Sequence, residues 1–292
     1  MSLKSTQRFL ALAVLTALAP GMASAASQNV DDLIARHVAA RGGMAALKAI
    51  KTLKMTGTMR PAGFDAELTY VETIARPGSV RIDATLQGLT IVQAYDGAGG
   101  WQIQPFQGRK DAEAVSTDDA KSLEEEADFE GGLIDYKAKG AKVESLGDID
   151  VDGAPTHALR VTLKNGDQQT YYLDPDALLT VRIVTRQLVR GAEVLTQTDF
   201  GDYEKVDGVY FPFEVATGPK GETQQQKITY AKAEANIATP PALFARPAGP
   251  AATPGAGPPV AAAPAPHSPV PPAKGSPAQQ EEAKPPKPPA AP

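Results

Sequence analysis

Few residues in this chain could carry out a reaction. Its three histidines, His37, His157 and His267, fall on an apolar helical stripe, in an alternating strand pattern and in a Pro/Ala-rich end. No spacing joins them into a metal site. Cysteine is absent, which removes thiol nucleophiles, thiolate ligands and disulfides. Glu124, Glu125 and Glu126 are three carboxylates in a row. Consecutive helical residues point in different directions, so they read as the wet face of an acidic helix. Only folding could bring carboxylates from separate segments together into an acid–base site. There is no phosphate-binding Gly-rich loop and no Gly-x-Ser-x-Gly elbow. The expectation is a protein that is not an enzyme, with no cofactor and no metal.

Binding needs only a concave apolar surface, and alternation supplies one. Leu53, Met55 and Met59 alternate with Lys54, Thr56 and Thr58. Phe64, Ala66, Leu68 and Tyr70 alternate with Asp65, Glu67 and Thr69, and Val80, Ile82, Ala84 and Leu86 with Arg81, Asp83 and Thr85. Period two with one apolar face marks antiparallel strands. Turn signals at Asp96-Gly97, Asp152-Gly153, Asn165-Gly166 and Asp207-Gly208 join such runs as hairpins. The runs amount to about eleven strands, more than an open sheet holds without curling or splitting.

Two helical segments interrupt this grammar. Val30, Leu33, Ile34, His37 and Val38 share one face of an N-terminal helix that stops at Arg41-Gly42-Gly43. His37 on that stripe reads as a packed core residue. Residues 108–140 break the strand pattern, with a helix start at Ser116 to Asp119 and an apolar set including Leu123, Ala127 and Ile134. The fold class is therefore α+β: a strongly curved antiparallel sheet, an unclosed barrel, with an N-terminal helix and a helical lid on its concave face. The cavity-lining candidates are Met55, Met59, Phe64, Leu68, Tyr70, Ile82, Leu86, Trp101 and Ile103 from the sheet, with Phe129, Leu133 and Tyr136 from the lid. The same residues equally describe a filled core. Trp101, beside a Gly-rich turn, sits either at a cavity mouth or as an anchor of that turn.

The ends read differently from the middle. Lys4 and Arg8, an apolar run from Phe9 to Leu18, and Ala23-Ser24-Ala25 form the pattern of a signal peptide over residues 1–25. The run is too short to span a bilayer, so a soluble periplasmic protein is expected after cleavage. Residues 26–246 form one ligand-binding domain. Residues 247–292 are Pro/Ala-rich and read as a disordered tail, either passive or a spacer. A net charge of −5 without a basic cluster argues against nucleic acid.

Several short motifs recur in a particular order. They are Arg41-Gly42-Gly43-Met44 with Leu47 and Ile50; Arg76-Pro77-Gly78-Ser79-Val80-Arg81; Tyr95-Asp96-Gly97 with Trp101 and Pro105-Phe106; Tyr171-Tyr172-Leu173-Asp174-Pro175; and Asp202-Tyr203 with Val206-Asp207-Gly208-Val209 and Phe211-Pro212. In this order and spacing the chain resembles the LolA/LolB-like periplasmic proteins, the lipoprotein carrier and outer-membrane lipoprotein-sorting superfamily. The resemblance implies an unclosed barrel with a helical lid over a cavity for acyl chains. It implies a lipid or lipoprotein ligand, a membrane-bound donor or acceptor, transport toward the outer membrane, and a monomer. The superfamily's stress-sensing members supply the alternative, an envelope interaction module with a filled core. The resemblance places the family's functional arginine at no single position, and the Pro/Ala-rich tail departs from the family's usual ending.

Overall fold

The structure, a computed structural model, describes residues 30–248. The signal-peptide reading of residues 1–25 and nearly all of the tail reading of residues 247–292 lie outside the described residues. Two helices come first, α1 (Val30–Ala40) and α2 (Met44–Ala49). Six strands follow: β1 (Thr52–Pro61), β2 (Leu68–Ala75), β3 (Ser79–Leu86), β4 (Leu89–Tyr95), β5 (Gly100–Gln104) and β6 (Arg109–Ala114). Then come α3 (Thr117–Glu126), a run of turns over residues 127–141, and seven more strands. These are β7 (Lys142–Val151), β8 (Ala154–Thr162), β9 (Gln168–Leu173), β10 (Thr180–Val189), β11 (Ala192–Val206), β12 (Val209–Pro219) and β13 (Gln226–Ala235).

All thirteen strands form one sheet in the order β6-β5-β4-β3-β2-β1-β13-β12-β11-β10-β9-β8-β7. Every neighbour pair is antiparallel, and β6 and β7 are free edges, so the sheet does not close. It is two meanders joined where β1 pairs with β13, Leu53 opposite Ala235 and Met59 opposite Ile228.

The strand count corrects the sequence expectation of about eleven. The polar run Arg109 to Ala114 is the edge strand β6, where pairing on one side and exposure on the other tolerate a sequence of low β-propensity. The second strand begins at Leu68, not Phe64, and runs on through Glu72 to Ala75. The N-terminal helices bury Leu33, Ile34, Leu47 and Ile50 in the inner-face core. They pack at the end of the barrel where the β9–β10 and β11–β12 turns lie. His37 Nδ1 is 2.7 Å from the Leu178 carbonyl, and Tyr210 N–H donates to the Arg41 carbonyl at 2.8 Å. Burial holds the His37 imidazole neutral, its pKa lowered to about 4. Gly42 makes this approach possible: a Cβ there would lie 2.2 Å from the Gly208 carbonyl oxygen, at φ +123°.

The main core lies on the inner face. Leu53, Met55, Leu68 and Tyr70 from one meander meet Leu159, Val161, Tyr171, Phe211 and Ile228 from the other. Helix α3 starts at Ser116, whose hydroxyl accepts the Asp119 N–H at 3.1 Å. Its Leu123 and Ala127 pack on Ile74 and Val80 of the same inner face. No helix among the described residues is long and apolar enough to cross a membrane.

Candidate functional site

The site is the inner face and the strap that covers it. Residues 127–141 form turns and not the helix expected of a lid, and local backbone bonds such as Lys139 N–H to the Asp135 carbonyl together with side-chain contacts fix them. Leu133 and Ile134 are buried, and Phe129 packs against the main core. Phe129 lies between aromatic and cationic neighbours, 6.2 Å edge-on to Phe211 and beneath the Arg76 guanidinium at 4.7 Å.

Two arginines clamp this strap. Arg41, the residue after α1, donates to the Glu130 carbonyl at 2.8 Å and to the Phe129 carbonyl at 3.1 Å. Arg76, from the β2–β3 turn, bonds the Ile50 and Leu47 carbonyls and meets Glu130 Oε1 at 2.6 Å. Glu130 is 6% exposed, so this ion pair is largely shielded from solvent on the carboxylate side. A third tie is a hydrogen-bond chain. Gly132 N–H donates to the Tyr171 hydroxyl (2.8 Å), which donates to Gln169 Oε1 (2.9 Å), whose amide donates to Glu125 of α3 (2.9 Å). Strap and helix are thereby pinned to the same strand, β9. Every one of these ties is polar and exchangeable with water.

Beneath α3 is a carboxylate pair that the bare sequence conceals. Glu72 points inward from β2 and is 5% exposed. It accepts a hydrogen bond from the Tyr230 hydroxyl, and it is hydrogen-bonded to Glu126, the last residue of α3. Desolvation, then the Glu126 charge, push the Glu72 carboxyl up to about 8. Glu126 keeps an exposed edge, yet the surrounding protein pushes its carboxyl up as well. Glu125 is pushed up to about 7 by desolvation and by Asp167. Two adjacent carboxyls in an apolar setting share a proton or separate.

Of the cavity candidates, Met55, Leu68, Tyr70 and Leu133 are core residues, with Met59, Ile82, Leu86, Phe129 and Tyr136 packed against them. Phe64, Trp101 and Ile103 lie elsewhere. Phe64 is in the β1–β2 loop, on an open polar groove of about 650 Å³ that also includes Arg182, Asp199 and Gln224. Trp101 and Ile103 are on the outer face. In register Arg81, Ala94 and Trp101 form one row, and residues 240–246 cover it. Trp101 Nε1 donates to the Phe244 carbonyl at 2.7 Å, and Arg81 to the Leu243 carbonyl at 3.1 Å. Alternation is blind to which face a two-sided strand buries, and here a C-terminal segment makes the outer face apolar too.

Arg41, Arg76, Glu130 and Glu72 were not among the candidates. The first two are in turns, where Gly and Pro explain the local sequence without them. Glu72 did leave a signal: Leu68, Tyr70, Glu72 and Ile74 are one alternating set, so a carboxylate is due on the apolar face. Glu125 departs from the wet-face reading, since it is half-buried and accepts from Gln169 of the sheet, whereas Glu124 and Glu126 are exposed as that reading expects, Glu126 with its carboxyl turned toward Glu72. Among the described residues, no group of three or more His, Asp or Glu is placed to hold a metal ion.

No protein-family model and no curated protein matches the sequence. Among solved structures the chain is similar to a Vibrio parahaemolyticus domain described as an outer membrane lipoprotein-sorting protein. Identity is 13%, over 74% of this chain and 97% of that one, with a TM-score of 0.49. It is also similar to a LolA superfamily protein from Nitrosomonas europaea, with 10% identity over 73% and 96% of the chains and a TM-score of 0.49.

Proposed function

We propose that this protein is a non-enzymatic periplasmic binding protein that shields a lipid, or the acyl chains of a lipoprotein, on the inner face of the sheet, for transport toward the outer membrane. The observation that carries this reading is the strap: Phe129, Leu133 and Ile134 fill the concave apolar face, while hydrogen bonds and the ion pairs Arg76–Glu130, Lys48–Asp135 and Lys137–Asp31 hold the segment in place.

Such a cover is displaceable. Three large side chains gain about 6 kcal/mol by burial, whereas an acyl chain of about sixteen carbons gains about 12 kcal/mol at about 0.8 kcal/mol per methylene. A long chain therefore competes for this face against the protein's own side chains, and a short one does not. Met55 and Met59 adapt the face to chains of different shape.

Native mass spectrometry of the protein purified from the periplasm without detergent tests the reading, with solvent extraction of the same sample. An adduct that extracts as lipid is expected. It should diminish with Ile82→Glu, a half-buried position where the fold tolerates a charge better than at Leu68. A protein that carries no lipid, and takes none when offered, overturns the proposal.

A further inference from the structure

Helix α3 is attached to the two meanders in different ways. Asp118 and Glu125 are two turns apart and share one face of the helix. At about 100° per residue, Leu123 and Ala127 point the opposite way. That second face is packed on the first meander. Leu123 and Ala127 lie against Ile74 and Val80, and among the described residues this cluster has no member from β7 to β13. The helix also presses on β5: a Cβ added at Gly100 would lie 3.2 Å from Leu123 Cδ1 and 3.5 Å from the Ala120 Cα. Glu126 adds its hydrogen bond to Glu72 of β2.

The face of Asp118 and Glu125 meets the second meander through hydrogen bonds. Gln169 of β9 and Gln187 of β10 donate to the Glu125 carboxylate at 2.9 Å and 3.4 Å. Arg190 N–H, in the β10–β11 turn, donates to Asp118 at 3.2 Å. Here the inner surface is open. Gln187 and Val194 are register partners on the same face as Ile183, which packs against the main core. Yet Val194 is 39% exposed, whereas Leu123 and Ala127 on the other side of the helix are 6% and 5% exposed. Water therefore reaches the inward face of the β10–β11 hairpin beside α3, and is shut out where α3 meets β2 and β3.

We propose that α3 is a one-sided flap: it stays seated on β2 to β5 and parts from β9 and the β10–β11 hairpin, so that an acyl chain enters the inner face between α3 and that hairpin. The ligand in this statement rests on the carrier reading; the motion does not. Separating the packed side would expose apolar surface, while each hydrogen bond on the other side is exchanged for one to water at small net cost. Opening breaks the chain from Gly132 through Tyr171 and Gln169 at its last link, Glu125. The strap keeps its bonds to Arg41 and Arg76 at that stage, and yields to the entering chain afterwards. Val194 lines the mouth so formed.

The chain has no cysteine, so engineered cysteines report without interference. In the full chain, spin labels on the double variant Glu124→Cys, Leu188→Cys measure across the mouth. Labels on Glu124→Cys, Ala98→Cys measure across the seated side, and all three positions are exposed. A broad distribution with a longer-distance population is expected for the first pair, and a single narrow one for the second. Equal widths, or a longer population on the seated side, overturn the proposal.

A second arm locks the mouth with Asp118→Cys and Arg190→Cys joined by oxidation. Uptake of a fluorescent fatty acid should slow by about tenfold or more in the oxidised form and recover on reduction. Uptake that oxidation leaves unchanged overturns the proposal. A protein that takes up no fatty acid in either redox state overturns the carrier reading and the entry route with it, while the spin-label distances still decide the flap.

Discussion

Glu126 at the end of α3 is hydrogen-bonded to Glu72 on the floor of the sheet. Among the described groups, no lysine, arginine or histidine acts on either carboxyl; the neighbours are Tyr230, Tyr70 and each other. Two cations near the strap are committed to other carboxylates, Arg76 of the β2–β3 turn to Glu130 and Lys139 to Asp128. Because the Glu72 pKa rises from 4.5 to about 8 in the folded protein, the folded state binds the proton more tightly than the unfolded one. The contact is therefore at full strength below 4.5 and weakens as pH climbs through about 8. Glu125, pushed up to about 7, adds to the effect in the same direction. Hydrogen-exchange protection factors in α3 should fall over that window, and Glu72→Gln should flatten their pH profile. An α3 equally protected at both ends of the window would refute the coupling.

Replacing Arg41 should loosen the strap selectively. Arg41→Ala removes two charge-assisted hydrogen bonds to the carbonyls of Phe129 and Glu130, together worth about 2 to 4 kcal/mol. Exchange of the amides over residues 129–136 should rise by more than that of the strands. Arg41→Lys should restore little, because one ammonium cannot span two carbonyls as a guanidinium does.

Tyr171 should behave as a hinge pin. Its hydroxyl accepts from Gly132 and donates to Gln169, and the residue is 5% exposed. Tyr171→Phe keeps the ring but leaves those partners unsatisfied, at about 1 to 3 kcal/mol. Thermal unfolding measures the loss. Faster uptake of a fluorescent fatty acid, if the strap gates the inner face, should accompany it.

Trp101, the chain's sole tryptophan, should report on the C-terminal segment and not on a ligand. It is 1% exposed on the outer face and bonded to Phe244. Lipid on the inner face should leave its emission unchanged, while truncation before Pro240 should shift it to the red. A large shift on lipid addition alone would contradict the assignment of faces.

Much of this was legible beforehand. Alternation and Asp-Gly turns set out most of the strands, and the apolar residues Phe129, Leu133, Ile134 and Tyr136 pointed to packing on the sheet, although the expected helical lid is helical only over α3 and continues as turns. What stayed hidden depends on contacts between distant segments. Arg41 and Glu130 are unremarkable until α1 and the strap meet. Glu72 and Glu126 are ordinary glutamates until α3 is laid over β2. Trp101, which reads as a cavity candidate or as a turn anchor, is buried on the outer face instead, because residues 240–246 return to cover it and nothing local says so. The polar strand β6 exists only because β5 offers it an edge.

The seam between β1 and β13 divides the molecule in a way that folding must respect. Each meander can assemble from its own neighbours, but β1 keeps a bare edge until the last strand arrives. A chain emerging from its N-terminus therefore carries one unpaired edge of β1, beside unburied Leu68 and Tyr70, for almost its whole synthesis. That edge stays open to pairing with other chains until Gln226 to Ala235 are in reach. By the same logic, a cut between α3 and β7 should yield two fragments that recombine along one strand pair.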